Sequence, residues 1–302
     1  MIKSISLKIP ASSANLGPGF DCVAVALNLY TKFTAQLTTD DKFSISYPAA
    51  IPKKLITVKN NLVLDSYQKT CRKHHWPIKY FKLTCSEMVP FESGLGSSAT
   101  AIVGGIVIAY AFNMQTLNRH KILDDAYDIE NHPDNIAAAI FGGFTCAFHQ
   151  DKGCYLVKTP ITKNLHCLII RPSEATNTKT SRQKLLKEIT LTDAKNNLAR
   201  AVTMVASIIN GEYENLQESM LDLMHEPYRI NPKCQYPALK KKLLGKEFYG
   251  WSLSGSGPSV IILASKNSKK LKTTIFSHFR SLEMKIDLLE LIIDNEGFSY
   301  ST

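Results

Sequence analysis

The 302-residue sequence lacks a hydrophobic run long enough to cross a membrane. Its longest apolar helix candidate extends from Ala99 to Phe112, which is short of the roughly 20 residues that a bilayer requires. The residues before Pro10 contain no apolar core of the kind that precedes a secretory cleavage site. We therefore expect no membrane partner.

Closely spaced cysteines are also lacking. The seven cysteines are odd in number and scattered, and no two have the Cys-x-x-Cys spacing. Disulfide frameworks and structural zinc sites both depend on paired or clustered cysteines. We expect reduced thiols and a cytoplasmic location.

Acidic residues are the minority among the charged residues, with 26 Asp and Glu against 36 Lys and Arg, which gives a formal net charge of +10. A positive balance suits anionic ligands. The lysines form short clusters, such as 240–242, without the interleaved aromatic residues of many nucleic-acid interfaces. We interpret them as a solvated basic surface and expect no nucleic-acid partner.

Apolar periodicity predicts a mixed fold. Ile2 to Ile9 alternates as a strand and leads into a polar loop, Ala11 to Asp21. Further strands are expected at 29–38, 43–47, 80–85, 144–149, 167–170, 251–254 and 260–264, and helices at 61–72, 121–130, 194–209 and 216–224. Because strands dominate the first half and helices the middle, the pattern favours an α+β protein.

The segment Pro90–Thr100 contains two glycines and two serines directly before the apolar helix candidate. Glycine lets the backbone approach a ligand closely, and the first N–H groups of a helix lack internal partners at its positive end. The segment therefore predicts an anion site, most simply for phosphate. An ordinary serine-capped helix after a glycine turn is the alternative interpretation.

Two common phosphate loops fit this segment poorly. The Walker type requires a Lys-Ser or Lys-Thr pair, and none follows Gly96. The spacing Gly94-x-Gly96-x-x-Ala99 matches the dinucleotide fingerprint, which requires a second strand ending in an acidic residue about twenty positions later. The corresponding stretch, Asn118 to Glu130, is polar and helix-like instead.

Three glycine-bearing polar segments recur along the chain in a fixed order: Pro10–Asp21, Pro90–Ala99 and Leu253–Ser259. Together they closely resemble the three motifs of the GHMP small-molecule kinases. Within that family, His132–Asn135 followed by Gly142–Phe144, and the segment Glu226–Arg229, resemble the homoserine kinase subfamily.

Three positions depart from the subfamily pattern. Asn131 replaces the usual glycine after Glu130, Ser256 replaces alanine in the third motif, and Asn177-Thr178 replaces the more common Ser-Thr.

The resemblance implies a two-domain α+β fold, with an N-terminal mixed α/β domain over 1–160 that carries the ATP phosphate loop and a C-terminal ferredoxin-like domain over 161–302. It also implies transfer of the γ-phosphate of ATP to the side-chain hydroxyl of L-homoserine, in threonine biosynthesis, and a homodimer. The alternatives are a GHMP kinase for another small alcohol, such as mevalonate or shikimate, and a catalytically silent metabolite-binding regulator.

By resemblance, the ATP-binding residues are expected at Asn61, Pro90, Ser93, Gly94, Leu95, Gly96, Ser97, Ser98, Ala99 and Thr100. Ser98 and Glu130 are the expected Mg²⁺ ligands, since Mg²⁺ takes few carboxylates besides phosphate oxygens and waters. A solvated helix-end carboxylate is the alternative for Glu130.

An amino-acid acceptor presents a carboxylate, an ammonium group and a hydroxyl. Arg182 and Arg229 are the candidates for the carboxylate, because a guanidinium binds both carboxylate oxygens in one plane. The remaining substrate-binding candidates by resemblance are Asn15, Asp21 and His132, and the catalytic candidates are Asp21, Asn135 and Thr178. Asp21 is interpreted as a positioning residue, with a general-base role as the alternative.

Overall fold

The computed structural model describes residues 2–49, 51, 57–161, 165–173, 178–244, 248–265 and 269–302. In this part of the chain two sheets carry the fold, and helices cover both. No helix there combines the length and the hydropathy needed to span a bilayer.

The first sheet is built on two long antiparallel strands, β1 (Ser4–Ala14) and β2 (Val23–Leu37). Beyond β2 lie β4 (Phe81–Glu87), which pairs antiparallel, and β3 (Ser44–Ser46), which pairs parallel to β4. The start of β2 pairs with β5 (Phe144–Gln150), which continues into the hairpin strand β6 (Gly153–Thr159). Because β2 is long, it pairs with β5 at its start and with β4 at its end, and so joins the two parts of one sheet.

Four helices belong to this half: α1 (Leu62–Lys73), α2 (Ser97–Phe112), α3 (Arg119–Glu130) and α4 (Pro133–Phe141). Helix α2 is apolar on every side and almost wholly buried, as expected for a central helix. It packs in the same core as Ile5, Ile9 and Phe33 of the sheet. Its N-terminus is consequently held at a fixed point of the domain.

The second sheet has the antiparallel order β10-β7-β9-β8. Its strands are β7 (His166–Pro172), β8 (Phe248–Leu253), β9 (Val260–Ala264) and β10 (Ile286–Ile292). Helices α9 (Tyr236–Leu243) and α10 (Lys269–Ser281) share a core with one face of this sheet. This order is that of a ferredoxin-like unit, and the α+β class predicted from the sequence is confirmed.

The opposite face of the second sheet meets the first half of the chain. Helices α5 (Thr178–Gln183), α6 (Leu191–Asn210), α7 (Leu216–Ser219) and α8 (Glu226–Arg229) precede α9. Met204 and Ile208 of α6 share a core with Ile169 of β7 and with Val23 and Val25 of β2. This shared core positions the functional segments of both halves relative to one another.

The last strand, β11 (Ser299–Ser301), returns to the first sheet and pairs with β1. A division of the chain into 1–160 and 161–302 stays a prediction, and residues 299–301 belong by hydrogen bonding to the first sheet.

Two local predictions were wrong. The polar loop expected from Ala11 begins only after Ala14, because β1 resumes its ladder with β2 after an irregularity at Pro10/Ala11. The helix expected over 216–224 ends at Ser219. There the Asp222 carboxylate accepts the N–H groups of Met224, His225 and Glu226, which forms a turn in place of further helix.

Candidate active site

The three glycine-bearing segments meet at one cleft of about 280 Å³. Ser12 N–H donates to the Leu95 carbonyl at 3.1 Å, and Gly255 N–H donates to the Ala14 carbonyl at 3.0 Å. The first segment is thus hydrogen-bonded to both of the others. Motifs that are far apart in sequence form one continuous wall.

Glycine is required at two positions of the central loop. Gly94 and Gly96 have φ values of +76° and +71°, in the left-handed region. A Cβ on Gly94 would lie 2.2 Å from the Ser254 carbonyl oxygen, and one on Gly96 would lie 2.2 Å from the Ser12 hydroxyl. Neither position can take a side chain without displacing a neighbouring motif.

The loop ends at the N-terminus of α2, where Gly96 is the N-cap and offers no side-chain cap. The first N–H groups of α2 therefore lack helical partners and are available to a ligand. The Ser97 Oγ atom is buried without a hydrogen-bond partner among the described residues. An orphaned hydroxyl beside unpaired N–H groups at the positive end of a helix fits a phosphate.

Glu130 lies across from this helix N-terminus, at the end of α3. The following residue, Asn131, has a φ of +59° and caps α3 in the left-handed conformation. Asn tolerates this conformation better than other non-glycine residues, which explains why it can replace the family's glycine. The turn leaves the Glu130 carboxylate 3.4 Å from Ser98 Oγ, which donates to it. Burial raises the pKa of Glu130.

The first motif forms the acidic part of the cleft. The Asn15 side chain accepts the Asp21 N–H at 2.9 Å and donates to the Gly255 carbonyl at 2.7 Å. The Asp21 carboxylate accepts a hydrogen bond from Arg182 at 2.6 Å. Arg229 lies nearby in the same cleft and is almost completely buried. Burial, followed by the charge of Arg182, lowers the pKa of Arg229.

The His132–Asn135 segment closes the cleft at the start of α4. Ser12 Oγ donates to Asn135 Oδ1 at 2.8 Å, so the Asn135 amide is held with its oxygen toward β1. Burial, with the charge of Arg182, lowers the pKa of His132. The buried side chain of Asp134 lines the same space, and burial raises its pKa to about 7.

Most residues expected at the site do line this cleft: Asn15, Asp21, Ser93, Gly94, Gly96, Ser97, Ser98, Ala99, Glu130, His132, Asn135, Arg182 and Arg229. The α5 backbone begins at Thr178, whose side chain lies outside the described residues, so its predicted role stays a prediction.

Four expected ATP-binding residues are placed beside the cleft. The Leu95 side chain is in the core, and the Thr100 hydroxyl donates to the Ser97 carbonyl. Pro90 contributes its carbonyl, which accepts from Ser93 Oγ. Asn61 caps α1 and donates to the Tyr47 hydroxyl, while its neighbour Leu62 reaches the cleft. The contacts of these four residues are consistent with a role in supporting the cleft wall.

Asp134 and Ser12 are two further residues of this site that the sequence pattern alone does not predict. Both lie within the motifs described above. Asp134 stands between His132 and Asn135, which are predicted site residues, and this position is the one indication of its role in the sequence. Its burial next to Asp21 and Glu130, whose charges also raise its pKa, depends on contacts between distant segments.

Comparison with known proteins relates this chain to one enzyme family. The family description "GHMP kinases N terminal domain" matches residues 61–143. The homoserine kinase of Campylobacter jejuni strain 81-176 is 34% identical over 288 residues, which cover 94% of this chain and 98% of that protein.

Solved structures with the same fold include a homoserine kinase from Cytophaga hutchinsonii, with a TM-score of 0.86, 26% identity and coverage of 100% of this chain and 98% of that one. The mevalonate kinase of Methanococcus jannaschii has a TM-score of 0.69 at 16% identity, covering 96% and 98% of the two chains. This second likeness concerns the fold alone.

Proposed function

Because this chain belongs to the GHMP kinase family and, within it, to the homoserine kinases, we propose that it transfers the γ-phosphate of ATP to the side-chain hydroxyl of L-homoserine. The bond between the γ-phosphorus and the ADP oxygen breaks, a bond from the homoserine oxygen to that phosphorus forms, and the hydroxyl proton is released. The product is O-phospho-L-homoserine, an intermediate on the route to threonine.

One observation carries this proposal: the helix N-terminus and the two arginines line the same cleft. The α2 N-terminus suits a phosphate chain, and the guanidinium groups of Arg182 and Arg229 suit a carboxylate. Phosphoryl transfer depends mainly on positioning and on charge stabilisation. A cleft that holds the two substrates side by side supplies the positioning.

The residues present fit ATP and Mg²⁺. The Ser97 hydroxyl, which has no hydrogen-bond partner among the described residues, suits a phosphate oxygen. The hydroxyl of Ser98 and the carboxylate of Glu130 are hard oxygen donors, as Mg²⁺ requires. When bound there, Mg²⁺ would offset the negative charge of the phosphate oxygens.

The acceptor side is organised around the Asp21–Arg182 pair. We infer that Arg182 and Arg229 hold the homoserine carboxylate and that Asn15, Asp21 and His132 complete the pocket. The 2.6 Å ion pair with Arg182 supports a positioning role for Asp21. If Asp21→Asn abolished turnover while homoserine still bound, a general-base role would replace it.

The decisive experiment is an ADP-release assay with Mg-ATP and four acceptors: homoserine, mevalonate, shikimate and galactose. Turnover with homoserine alone is expected. Arg182→Ala should raise the homoserine KM about a hundredfold, whereas Arg280→Ala, on the exposed side of α10, serves as the matched surface control. Turnover with another alcohol would identify a different GHMP kinase, and ATP binding without turnover would favour the regulator.

We also propose that the chain forms a homodimer through α6. One side of this helix exposes Leu191, Leu198, Val202 and Ile209, at 86%, 66%, 61% and 49% exposure. At 100° per residue they lie within about 20° of one line along the helix. The successive spacings are seven, four and seven residues, so the pattern is the same when it is read from either end of the helix. An antiparallel copy would therefore place Leu198 opposite Val202 of its partner, as two-fold symmetry requires.

Light scattering after gel filtration tests the dimer. Leu198→Glu is expected to yield monomers, and Phe276→Glu, a change at an exposed apolar residue on α10, should leave the mass unchanged. Mixing Leu198→Cys with Val202→Cys should form a disulfide between chains if the antiparallel register is correct. A monomeric wild-type chain would refute the dimer. The cytoplasmic location expected from the scattered cysteines stays a prediction.

A further inference from the structure

The aromatic ring of Phe20 contacts Arg182 and Arg229, the two arginines of the proposed acceptor pocket. The guanidinium carbon of Arg229 is 5.1 Å from the ring centroid, and that of Arg182 is 5.6 Å from it. Both distances are within the roughly 6 Å that defines a cation–π contact. One side chain therefore contacts both groups that are expected to bind the substrate carboxylate.

The ring is itself held in place. Gly19 accepts the N–H groups of Cys22 and Val23 at 3.1 and 2.9 Å, so Phe20 stands in a closed turn. The imidazole of His225 stacks on the ring, with centroids 5.3 Å apart and planes 26° apart. His225 is fully buried and contacts the Gly17 carbonyl through Nε2 at 2.9 Å. The ring is thus fixed by its turn and by a buried neighbour.

The two guanidinium groups need such a support. Both carry a positive charge in one small cleft, so the two groups repel each other electrostatically. Asp21 pairs with Arg182. Arg229 has a buried Nε without a hydrogen-bond partner in the described part of the chain. The negative face of an aromatic ring attracts cations without competing for the carboxylate of a ligand.

We propose that Phe20 is a positioning residue that sets the affinity for the substrate carboxylate, because its ring holds the guanidinium groups of Arg182 and Arg229 in place for binding. The proposal rests on the proposed function for the identity of the substrate. Phe20 itself is not required to touch the substrate. Its effect is expected on acceptor binding and not on ATP binding.

The test compares Phe20→Leu, which keeps an apolar side chain of similar size, with Phe20→Tyr, which keeps the ring. Phe20→Leu should raise the KM for homoserine by about tenfold, from the loss of two cation–π contacts, while kcat and the KM for ATP stay near wild type. Phe20→Tyr should keep the KM for homoserine near the wild-type value. Phe276→Leu, at an exposed phenylalanine on α10, is the matched control.

Two ligands separate carboxylate binding from a general disturbance of the pocket. L-2-Aminobutyrate keeps the carboxylate and ammonium groups of homoserine but lacks its hydroxyl, and 3-amino-1-propanol lacks the carboxylate. Phe20→Leu should weaken inhibition by L-2-aminobutyrate about tenfold and leave inhibition by 3-amino-1-propanol unchanged. If Phe20→Leu does not fold, Phe20→Met provides the same comparison.

An unchanged homoserine KM in a folded Phe20→Leu protein would overturn the proposal, as would equal weakening of both inhibitors. These outcomes leave the proposed function intact as long as the wild-type chain phosphorylates homoserine. A wild-type chain that does not phosphorylate homoserine would overturn the proposed function instead, and calorimetric titration with L-2-aminobutyrate would still measure the role of Phe20.

Discussion

Replacing Asp134 with asparagine should make the protein more stable at neutral and alkaline pH. Asp134 is 3% exposed, and burial raises the pKa of its carboxyl group from an ordinary value of 3.8 to about 7. The folded state therefore retains a proton that the unfolded state loses at lower pH. Asparagine has nearly the same shape and can still accept the Asn135 N–H through its side-chain oxygen, as Asp134 does at 2.6 Å.

The sign and size of the effect follow from the two pKa values. Well below pH 3.8, Asp134 is protonated in both states and folding releases no proton. As the pH rises from about 3.8 to about 7, the unfolded state loses this proton while the folded state keeps it, so the stability of the wild-type protein falls; above about pH 7 both states are ionised and the loss is complete. One pH unit of difference corresponds to about 1.4 kcal/mol, so the full difference in unfolding free energy approaches about 4 kcal/mol.

Urea unfolding of the ligand-free protein, measured at several pH values, checks this prediction. The free energy of unfolding of Asp134→Asn minus that of wild type should increase between about pH 4 and pH 8. Burial also raises the pKa of Glu226 to about 7, but this residue is present in both proteins and cancels in the difference. Asp151→Asn, in the exposed β5–β6 turn, is the control. A difference that does not vary with pH would refute the reasoning.

Three further predictions concern activity. Glu130→Gln should lose Mg²⁺-dependent turnover in an ADP-release assay, and full activity at every Mg²⁺ concentration would exclude Glu130 as a ligand. Arg182→Ala and Arg229→Ala should each raise the homoserine KM about a hundredfold and leave the ATP KM near wild type, whereas equal effects on both would contradict the carboxylate assignment. Gly94→Ala should weaken ATP binding in a calorimetric titration, because its Cβ would lie 2.2 Å from the Ser254 carbonyl; wild-type affinity would show that the loop can shift.

The parts of the site that could be predicted from the sequence are those encoded in contiguous residues. The run from Gly94 to Ser98 predicts a helix N-terminus with glycines before it, and α2 begins at Ser97. Its anion-binding character is a local property of backbone N–H groups. The chain's membership among the homoserine kinases also follows from such contiguous motifs, and the relatives confirm it.

What could not be predicted depends on contacts between distant segments. The raised pKa of Asp134 requires burial by the surrounding fold, and the role inferred for Phe20 requires Arg182 and Arg229, which are more than 150 positions away in sequence. The helix expected over 216–224 failed for a related reason. Apolar spacing does not reveal that the Asp222 side chain will accept three backbone N–H groups and stop the helix early.

The absence of a lysine from the phosphate loop has a consequence for substrate choice. In a loop without a cationic side chain, the phosphates depend on backbone N–H groups, on hydroxyl groups and on a bound cation. In the proposed assignment, Arg182 and Arg229 bind the acceptor, and Asp21 offsets part of their charge. An acceptor that carries both a carboxylate and an ammonium group matches this mixture of charges, whereas a neutral alcohol would bring no anion to the buried Arg229 guanidinium beside Phe20. The charge arrangement of the cleft therefore favours an amino acid over a simple alcohol as the acceptor.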